Sequence, residues 1–196
     1  MNSPSHVVAS LVLLGRREQP RLLLPIALGS FLPDVPMFGL YFYERVIRAQ
    51  PERWIWSTGY YQDYWQDTID LFNSLPLMAL AAAVAYALRS PWWVAFCASM
   101  AVHASADLLV HHGDSHRHFW PLSQWRFDSP VSYWDPAHHG RLFSALELSG
   151  GLVGCFWLRR HYRRTWVRHL AVVLAAAYAA TILIVIFLWS GGDHAG

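Results

Sequence analysis

The segment LAVVLAAAYAATILIVIFLW, residues 170–189, carries no charged side chain from Leu170 to Trp189. A helix needs about 20 consecutive, mostly apolar residues to cross a bilayer, so this segment predicts a membrane-spanning helix. Further apolar segments of nearly that length lie upstream. We therefore expect an all-α, polytopic membrane bundle of about five spanning helices, with spans near residues 22–42, 71–88, 91–111, 142–158 and 170–189.

The composition supports the same class of protein. Of the 196 residues, 55% are hydrophobic and 14% are charged, which leaves too little polar surface to solvate a water-soluble domain. The first apolar stretch, Val7 to Leu14, is too short to span and follows no basic region, which argues against a cleaved signal peptide. It predicts a short N-terminal helix beside the bundle. No repeat or Gly/Ser-rich linker divides residues 1–196, so we expect one membrane-embedded domain in contact with the lipid bilayer.

The basic residues predict the orientation. All fifteen are arginines, and most flank predicted spans instead of forming a continuous basic face, which argues against nucleic-acid binding. Under the positive-inside rule, the arginine-rich loops face the cytoplasm. The other loops, about 43–70 and 112–141, then lie on the periplasmic side of a bacterial inner membrane. The loop at 112–141 is rich in histidine and aromatic residues, so we expect an ordered element at the outer face.

The strongest chemical signal is His103-x-x-x-Asp107-x-x-x-His111-His112. Residues four apart share one face of a helix, and an imidazole and a carboxylate on one face can bind a divalent cation together. Ionisable side chains within a span are costly unless a metal, water or partner satisfies them. The alternative is a polar histidine-rich loop, with Asp107 hydrogen-bonded to a neighbouring helix.

A second candidate ligand is Asp34, in Gly29-Ser-Phe-Leu-Pro-Asp34-Val-Pro36. The two prolines predict a break in the helix at membrane depth, which is tolerated where the backbone lines protein or a polar cavity. Asp34 then points inward as a metal ligand, or it caps the helix that restarts after the break. Glu147, near the outer end of the fourth predicted span, is a candidate ligand, ligand partner or general base.

Taken in order, His6, Gly29-Ser-Phe-Leu-Pro-Asp34, His103-x-x-x-Asp107 and the later His-Gly and Trp120-Pro121 resemble the LexA-regulated membrane-bound metal-dependent hydrolase family. The resemblance implies a multispanning helical protein whose His and Asp side chains gather around a divalent metal. By match, it carries over His6, Asp34, His103 and Asp107.

One position departs from the family pattern. The family usually has a His-rich element ending in His-Ser at the start of the next span, and the best counterpart here is Asn73-Ser74. Asparagine is a weak metal ligand. Three outcomes are open: Asp67 or Asp70 replaces the missing histidine, the histidines at 111–118 compensate, or the site no longer binds metal.

These observations favour a metal-dependent hydrolase that attacks an ester or phosphoester of a lipid-like substrate at the outer membrane face. Zinc is the expected metal because the ligands mix nitrogen and oxygen, and Glu147 is the expected base. The alternatives are a non-enzymatic protein that binds metal or handles cations or protons, and a structural subunit whose polar residues only join helices. The predicted metal ligands are His6, Asp34, His103, Asp107 and His112.

Overall fold

The computed structural model describes residues 1–163 and 165–192, with side chains up to Ile184 apart from position 164. The predicted all-helical class is confirmed, as is the short N-terminal helix. Single turns of 3-10 or π-helix extend several of the α-helices. In chain order, the α-helices are α1 (Ser3–Leu14), α2 (Leu23–Phe31), α3 (Val35–Phe42), α4 (Glu52–Trp54), α5 (Asp63–Phe72), α6 (Leu75–Ala87), α7 (Pro91–Val110), α8 (Gly140–His161) and α9 (Trp166–Gly192).

Four helical stretches of the described chain are long and apolar enough to cross a membrane, close to the predicted five: Pro20–Ile47, Asp63–Ala87, Pro91–Val110 and Trp166–Ile184. The predicted span at 142–158 lies inside α8, which has 22 residues but is less apolar than the other four. Glu147 and several glycines account for this lower hydropathy.

Large apolar side chains point away from the protein along the spanning helices. The exposed fraction is 62% for Leu80, 62% for Leu109 and 64% for Val173. The buried set, in contrast, includes His6, His103 and other polar side chains. An outer surface of this kind is compatible with lipid and unfavourable in water.

Helix α1 lies within the bundle and packs against α2, α7 and α8. Its 12 residues make it about 18 Å long, shorter than the hydrocarbon layer. At one end, the Met1 amino group lies 2.7 Å from Asp107. At the other end, the backbone of Gly15 packs against Tyr162, just after α8. α1 therefore connects the region around Asp107 to the region where α8 ends.

A close crossing of α2 and α7 positions two of the predicted ligands. A Cβ atom on Gly29 would lie 2.3 Å from the carbonyl oxygen of Phe96, so only glycine allows this approach. The Ser99 hydroxyl donates a hydrogen bond of 2.6 Å to the carbonyl of Ile26. This crossing brings Asp34, just beyond α2, next to His103 of α7.

The predicted helix break at Pro33 and Pro36 is a local change of helix type. The turn Leu32–Asp34 is 3-10 helix, and the chain continues directly into α3. Asp34 precedes α3, but its side chain makes no capping hydrogen bond. The capping role considered for Asp34 is therefore not seen, and its carboxylate faces His103.

The segment after α7 folds back over the end of that helix. The backbone amides of Ser129 and Tyr133 donate to the carbonyls of His111 and Val110, both at 3.0 Å. On the neighbouring side, the amide of Leu75 donates to the carbonyl of His118 at 2.9 Å. The histidine-rich segment thereby covers the C-terminal end of α7 and the start of α6.

Candidate metal centre

Helices α1 and α7 bring together His6, His103 and Asp107, all three buried, with possible ligand atoms within 4.8 Å of one another. His6 Nε2 lies 3.0 Å from Asp107 Oδ1, and His103 Nε2 lies 3.0 Å from Asp107 Oδ2. Asp34 Oδ1 adds a second carboxylate 3.6 Å from His103 Nε2. We call His6, His103, Asp107 and Asp34 the inner group.

The hydrogen bonding of His103 indicates which ring nitrogen is available to a cation. Its Nδ1 lies 2.7 Å from the carbonyl oxygen of Ser30, and since a carbonyl can only accept, Nδ1 carries the hydrogen. A neutral ring then directs the Nε2 lone pair at the carboxylates of Asp107 and Asp34. Lone pairs that face one another repel, so a proton or a metal cation must lie between them.

The stacking of the two rings favours a metal over protons. His6 and His103 lie almost parallel with ring centroids 3.5 Å apart, and their exposed fractions are 1% and 0%. Burial lowers the pKa of His6, although Asp107 opposes this effect. Two imidazolium rings stacked at this distance would repel each other, whereas one divalent cation can bind both rings and the carboxylate.

Asp107 also belongs to a second buried set, with His111 and His116, whose possible ligand atoms again lie within 4.8 Å of one another. His111 Nε2 lies 3.2 Å from Asp107 Oδ1, and its Nδ1 lies 3.1 Å from Asp114 Oδ1. His116 Nδ1 is buried without a hydrogen-bond partner. We call Asp107, His111 and His116 the outer group.

Electrostatics differ between the two outer histidines. Burial lowers the pKa of His116 well below its usual value, and the neighbouring His111 lowers it further. Burial also acts to lower the pKa of His111, but its contacts with Asp107 and Asp114 outweigh burial and raise it to about 9. The Met1 amino group lies 3.4 Å from His111 Nε2, besides its contact with Asp107. A positively charged group thus fits between these side chains.

A cavity of about 380 Å³ opens onto the outer group. Its polar lining includes Asp34, Asp107, His111, His116 and Asn73, whereas His6 and His103 do not line it. The aromatic lining consists of Trp56, Tyr60, Tyr61, Tyr133 and Trp134. The cavity therefore joins a set of metal-binding atoms to a largely aromatic wall.

Four of the predicted ligands, His6, Asp34, His103 and Asp107, are brought together. His112 is placed elsewhere: its Nδ1 lies 2.7 Å from the carbonyl of Ser129, and its ring stacks on His138 at 3.5 Å. Sequence reasoning chose His112 although its neighbour His111 continues the four-residue spacing of His103 and Asp107. That spacing was the signal that could have found His111.

Glu147 does not line the cavity. Its Oε1 accepts hydrogen bonds from the backbone amide and side-chain amide of Asn2, at 2.7 and 3.0 Å, and its Oε2 is buried without a partner. These bonds hold the start of α1 against α8. Glu147 thus anchors the residue that precedes α1.

The contacts of Asp67, Asp70 and Asn73 bear on the missing family histidine. Asp70 is fully buried and is bound by Arg117 and Arg126, and Asp67 is also paired with Arg117. Asp70 Oδ1 lies 3.9 Å from His116 Nδ1, but both oxygens of Asp70 already accept hydrogen bonds from the two arginines. Asn73 itself lines the cavity, and its Oδ1 is buried without a partner. Of the three outcomes, the contacts therefore favour compensation by the histidines at 111–118, because His111 and His116 line the same cavity as Asn73.

The fold and the site define a class of protein: a helical membrane protein with buried His and Asp groups able to hold a metal ion. Comparisons with protein-family models, curated proteins and solved structures found no significant match to this chain.

Proposed function

We propose that this protein is a membrane-bound metal-dependent hydrolase that cleaves an ester or phosphoester of a lipid-like substrate. The observation that carries the proposal is the inner group. His6 and His103 direct buried nitrogens without hydrogen-bond partners at the Asp107 carboxylate, and such an arrangement is costly unless a cation fills it. Zinc is the metal we propose, because the ligands mix imidazole nitrogen and carboxylate oxygen.

A divalent cation bound at Asp107 would supply Lewis acidity, which would activate water as a nucleophile and polarise an ester carbonyl or phosphoryl oxygen. The residues around it have separate tasks. The Ser30 carbonyl fixes the orientation of His103 through Nδ1, and Asp114 does the same for His111. A carboxylate must also accept a proton from the attacking water, and both Asp34 and Glu147 have an oxygen without a partner.

The cavity supports a substrate with an apolar part. Its lining combines aromatic side chains with carboxylate and histidine groups. A volume of about 380 Å³ suits a small ligand or the reacting portion of a larger one. An amphiphile that enters from the bilayer with its ester nearest to Asp107 can contact both kinds of side chain.

Two observations support a site on the periplasmic face of a bacterial inner membrane. Asp107 lies at one end of α1, and the other end of α1 lies near Tyr162, within the arginine-rich stretch 159–168. This arginine-rich stretch and the Asp107 site thus lie at opposite ends of α1, although Arg117 and Arg126 lie on the histidine side. By the positive-inside rule, the arginine end is cytoplasmic and the histidine end is outside. The shared positions His6, Asp34, His103 and Asp107 further support membership of the metal-dependent hydrolase family that the sequence resembles.

The test is hydrolysis by protein purified in detergent, loaded with zinc and presented with lipid esters and lipid phosphoesters. We expect activity that chelation abolishes and that falls at least 100-fold in His103→Ala. The matched control is His112→Ala, which removes a histidine of the same chain outside both groups and should retain activity. Zinc binding without any hydrolysis would favour the cation-handling alternative, and equal activity of His103→Ala and wild type would refute the proposed site.

A further inference from the structure

We propose that the outer group binds a second divalent cation, with Asp107 as a bridging ligand between the two. The inner cation is enclosed by protein, and the outer cation faces the cavity. The metal-binding part of this inference stands on the geometry alone. Its consequence, that the outer cation meets the substrate, rests on the proposed function.

The Asp107 carboxylate lies between two sets of imidazole rings. Three imidazole nitrogens approach its two oxygens: His6 Nε2 and His111 Nε2 at Oδ1, and His103 Nε2 at Oδ2, at 3.0 to 3.2 Å. His6 and His103 lie together on the inner side, while His111 joins His116 in the outer group. The possible ligand atoms thus form two sets around Asp107, and each set can hold its own cation. A carboxylate between two such sets is the usual bridge of a two-metal site, where the ions lie about 3.5–4 Å apart.

The outer group also contains buried atoms that have no hydrogen-bond partner. His116 is 7% exposed. Its Nδ1 has no hydrogen-bond partner, and neither does Oδ1 of the buried Asn73, which lines the same cavity. Asn73 Nδ2 donates 3.0 Å to the carbonyl of Ile69, which leaves Oδ1 as the free atom. Unpaired imidazole and amide acceptors beside a carboxylate are suited to a cation.

The inner and outer groups differ in their access to the cavity. The inner group offers His6, His103 and Asp107, and its two histidines do not line the cavity. All three ligands of the outer group line the cavity, and three protein ligands with an open position are typical of catalytic metal sites. The two cations therefore differ in their exposure to substrate.

The cavity lining is acidic, with the carboxylates of Asp34, Asp107 and Asp114. The Met1 amino group also lines the cavity and lies 2.7 Å from Asp107 Oδ1 and 3.4 Å from His111 Nε2. A positive group therefore already lies at the outer group, and the outer cation would take its place beside Asp107.

The experiment counts zinc. Protein stripped with a chelator in detergent is titrated with zinc, desalted and analysed for metal per chain. We expect about two zinc ions in the wild type and in the control His112→Ala, about one each in His6→Ala and His116→Ala, and less than one in Asp107→Ala. Size-exclusion profiles and thermal unfolding of each variant, with His116→Gln as a milder replacement, separate loss of metal from loss of fold.

A second measurement needs no variant. Manganese(II) at two equivalents should give the electron paramagnetic resonance spectrum of an exchange-coupled pair, because a shared carboxylate keeps the ions close. One zinc per wild-type chain, unchanged by His116→Ala, or a spectrum of isolated manganese at two equivalents, would overturn the second site. Two zinc ions with no hydrolysis would refute the proposed function alone, and zinc-dependent hydrolysis with a single ion would refute this inference alone.

Discussion

His6 of the N-terminal helix and His103 of α7 stack face to face, with ring centroids 3.5 Å apart, and each directs Nε2 toward the carboxylate of Asp107. The two rings have similar surroundings but different support. His103 is anchored by the Ser30 carbonyl, whereas both nitrogens of His6 lack a hydrogen-bond partner. His6 therefore gains the most from a bound cation, and its position depends on packing and on that cation.

Replacing His6 with phenylalanine separates these two contributions. Phenylalanine keeps a ring that can stack on His103 but provides no ligand atom. We expect a folded protein that loses the inner cation, with metal content lower by about one ion per chain in elemental analysis. Thermal unfolding measured with and without zinc should show a smaller zinc-dependent stabilisation than in wild type. An unchanged metal content would contradict the assignment of His6 as a ligand.

The crossing of α2 and α7 predicts a strong effect at Gly29. In Gly29→Ala the new methyl group would lie 2.3 Å from the Phe96 carbonyl oxygen, and backbone cannot move aside cheaply. We expect a loss of about 1–3 kcal/mol in the free energy of unfolding, together with weaker metal binding as Asp34 and His103 separate. Gly39→Ala is the matched control, because no atom lies within 4 Å of a Cβ at that glycine. Equal stability of the two variants, measured by denaturant unfolding in detergent, would contradict the close crossing.

Asp70 has a structural role and is not a replacement ligand. It is fully buried and accepts hydrogen bonds from the Arg117 backbone amide at 2.9 Å and from Arg126 at 3.1 Å. We expect Asp70→Asn to destabilise the protein by about 3–5 kcal/mol, since Arg126 loses its carboxylate partner and Arg117 keeps only the exposed Asp67. Asp63→Asn, at the exposed start of α5, should change stability little. If Asp70→Asn is as stable as wild type but loses metal, Asp70 is a ligand after all.

The proton acceptor can be identified from rates at full metal loading. Asp34 lines the cavity, whereas one oxygen of Glu147 is occupied by Asn2. We expect Asp34→Asn to lower kcat by about 100-fold or more and Glu147→Gln to have a much smaller effect. The opposite order would restore Glu147 as the general base that the sequence suggested. Metal analysis of both variants excludes a change in loading as the cause.

Metal binding should depend on pH with a defined sign. The pKa of His111 is raised to about 9, so below pH 9 the cation-free protein holds a proton there. A cation must displace this proton, and affinity at the outer site should therefore fall as pH falls below about 9. Calorimetric titrations with zinc at pH 7.5, in buffers of different ionisation enthalpy, should report about one proton released that His111→Ala does not release. The control His112→Ala should release as much as wild type.

Sequence reasoning grouped residues of the candidate site where local spacing determines their positions. The four-residue spacing of His103 and Asp107 and the Pro-Asp motif at 33–34 depend only on helix geometry, and these residues are together in the structure. His116 could not be singled out in this way, because its position depends on how the 112–141 segment folds back through backbone hydrogen bonds to Val110 and His111. The predicted span at 142–158 lies within α8. However, α8 is less apolar than the four spanning stretches, because it contains Glu147 and several glycines.

The pairing of α1 with α7 also sets the order in which the protein can be assembled. His6 leaves the ribosome about one hundred residues before Asp107, which at roughly 5–20 residues per second corresponds to several seconds. During that interval, the newly made N-terminal helix is too short to span the bilayer and has no partner for its histidine. The site can close only after α7 has entered the membrane, so α1, although made earlier than α7, completes its packing only once α7 is in place.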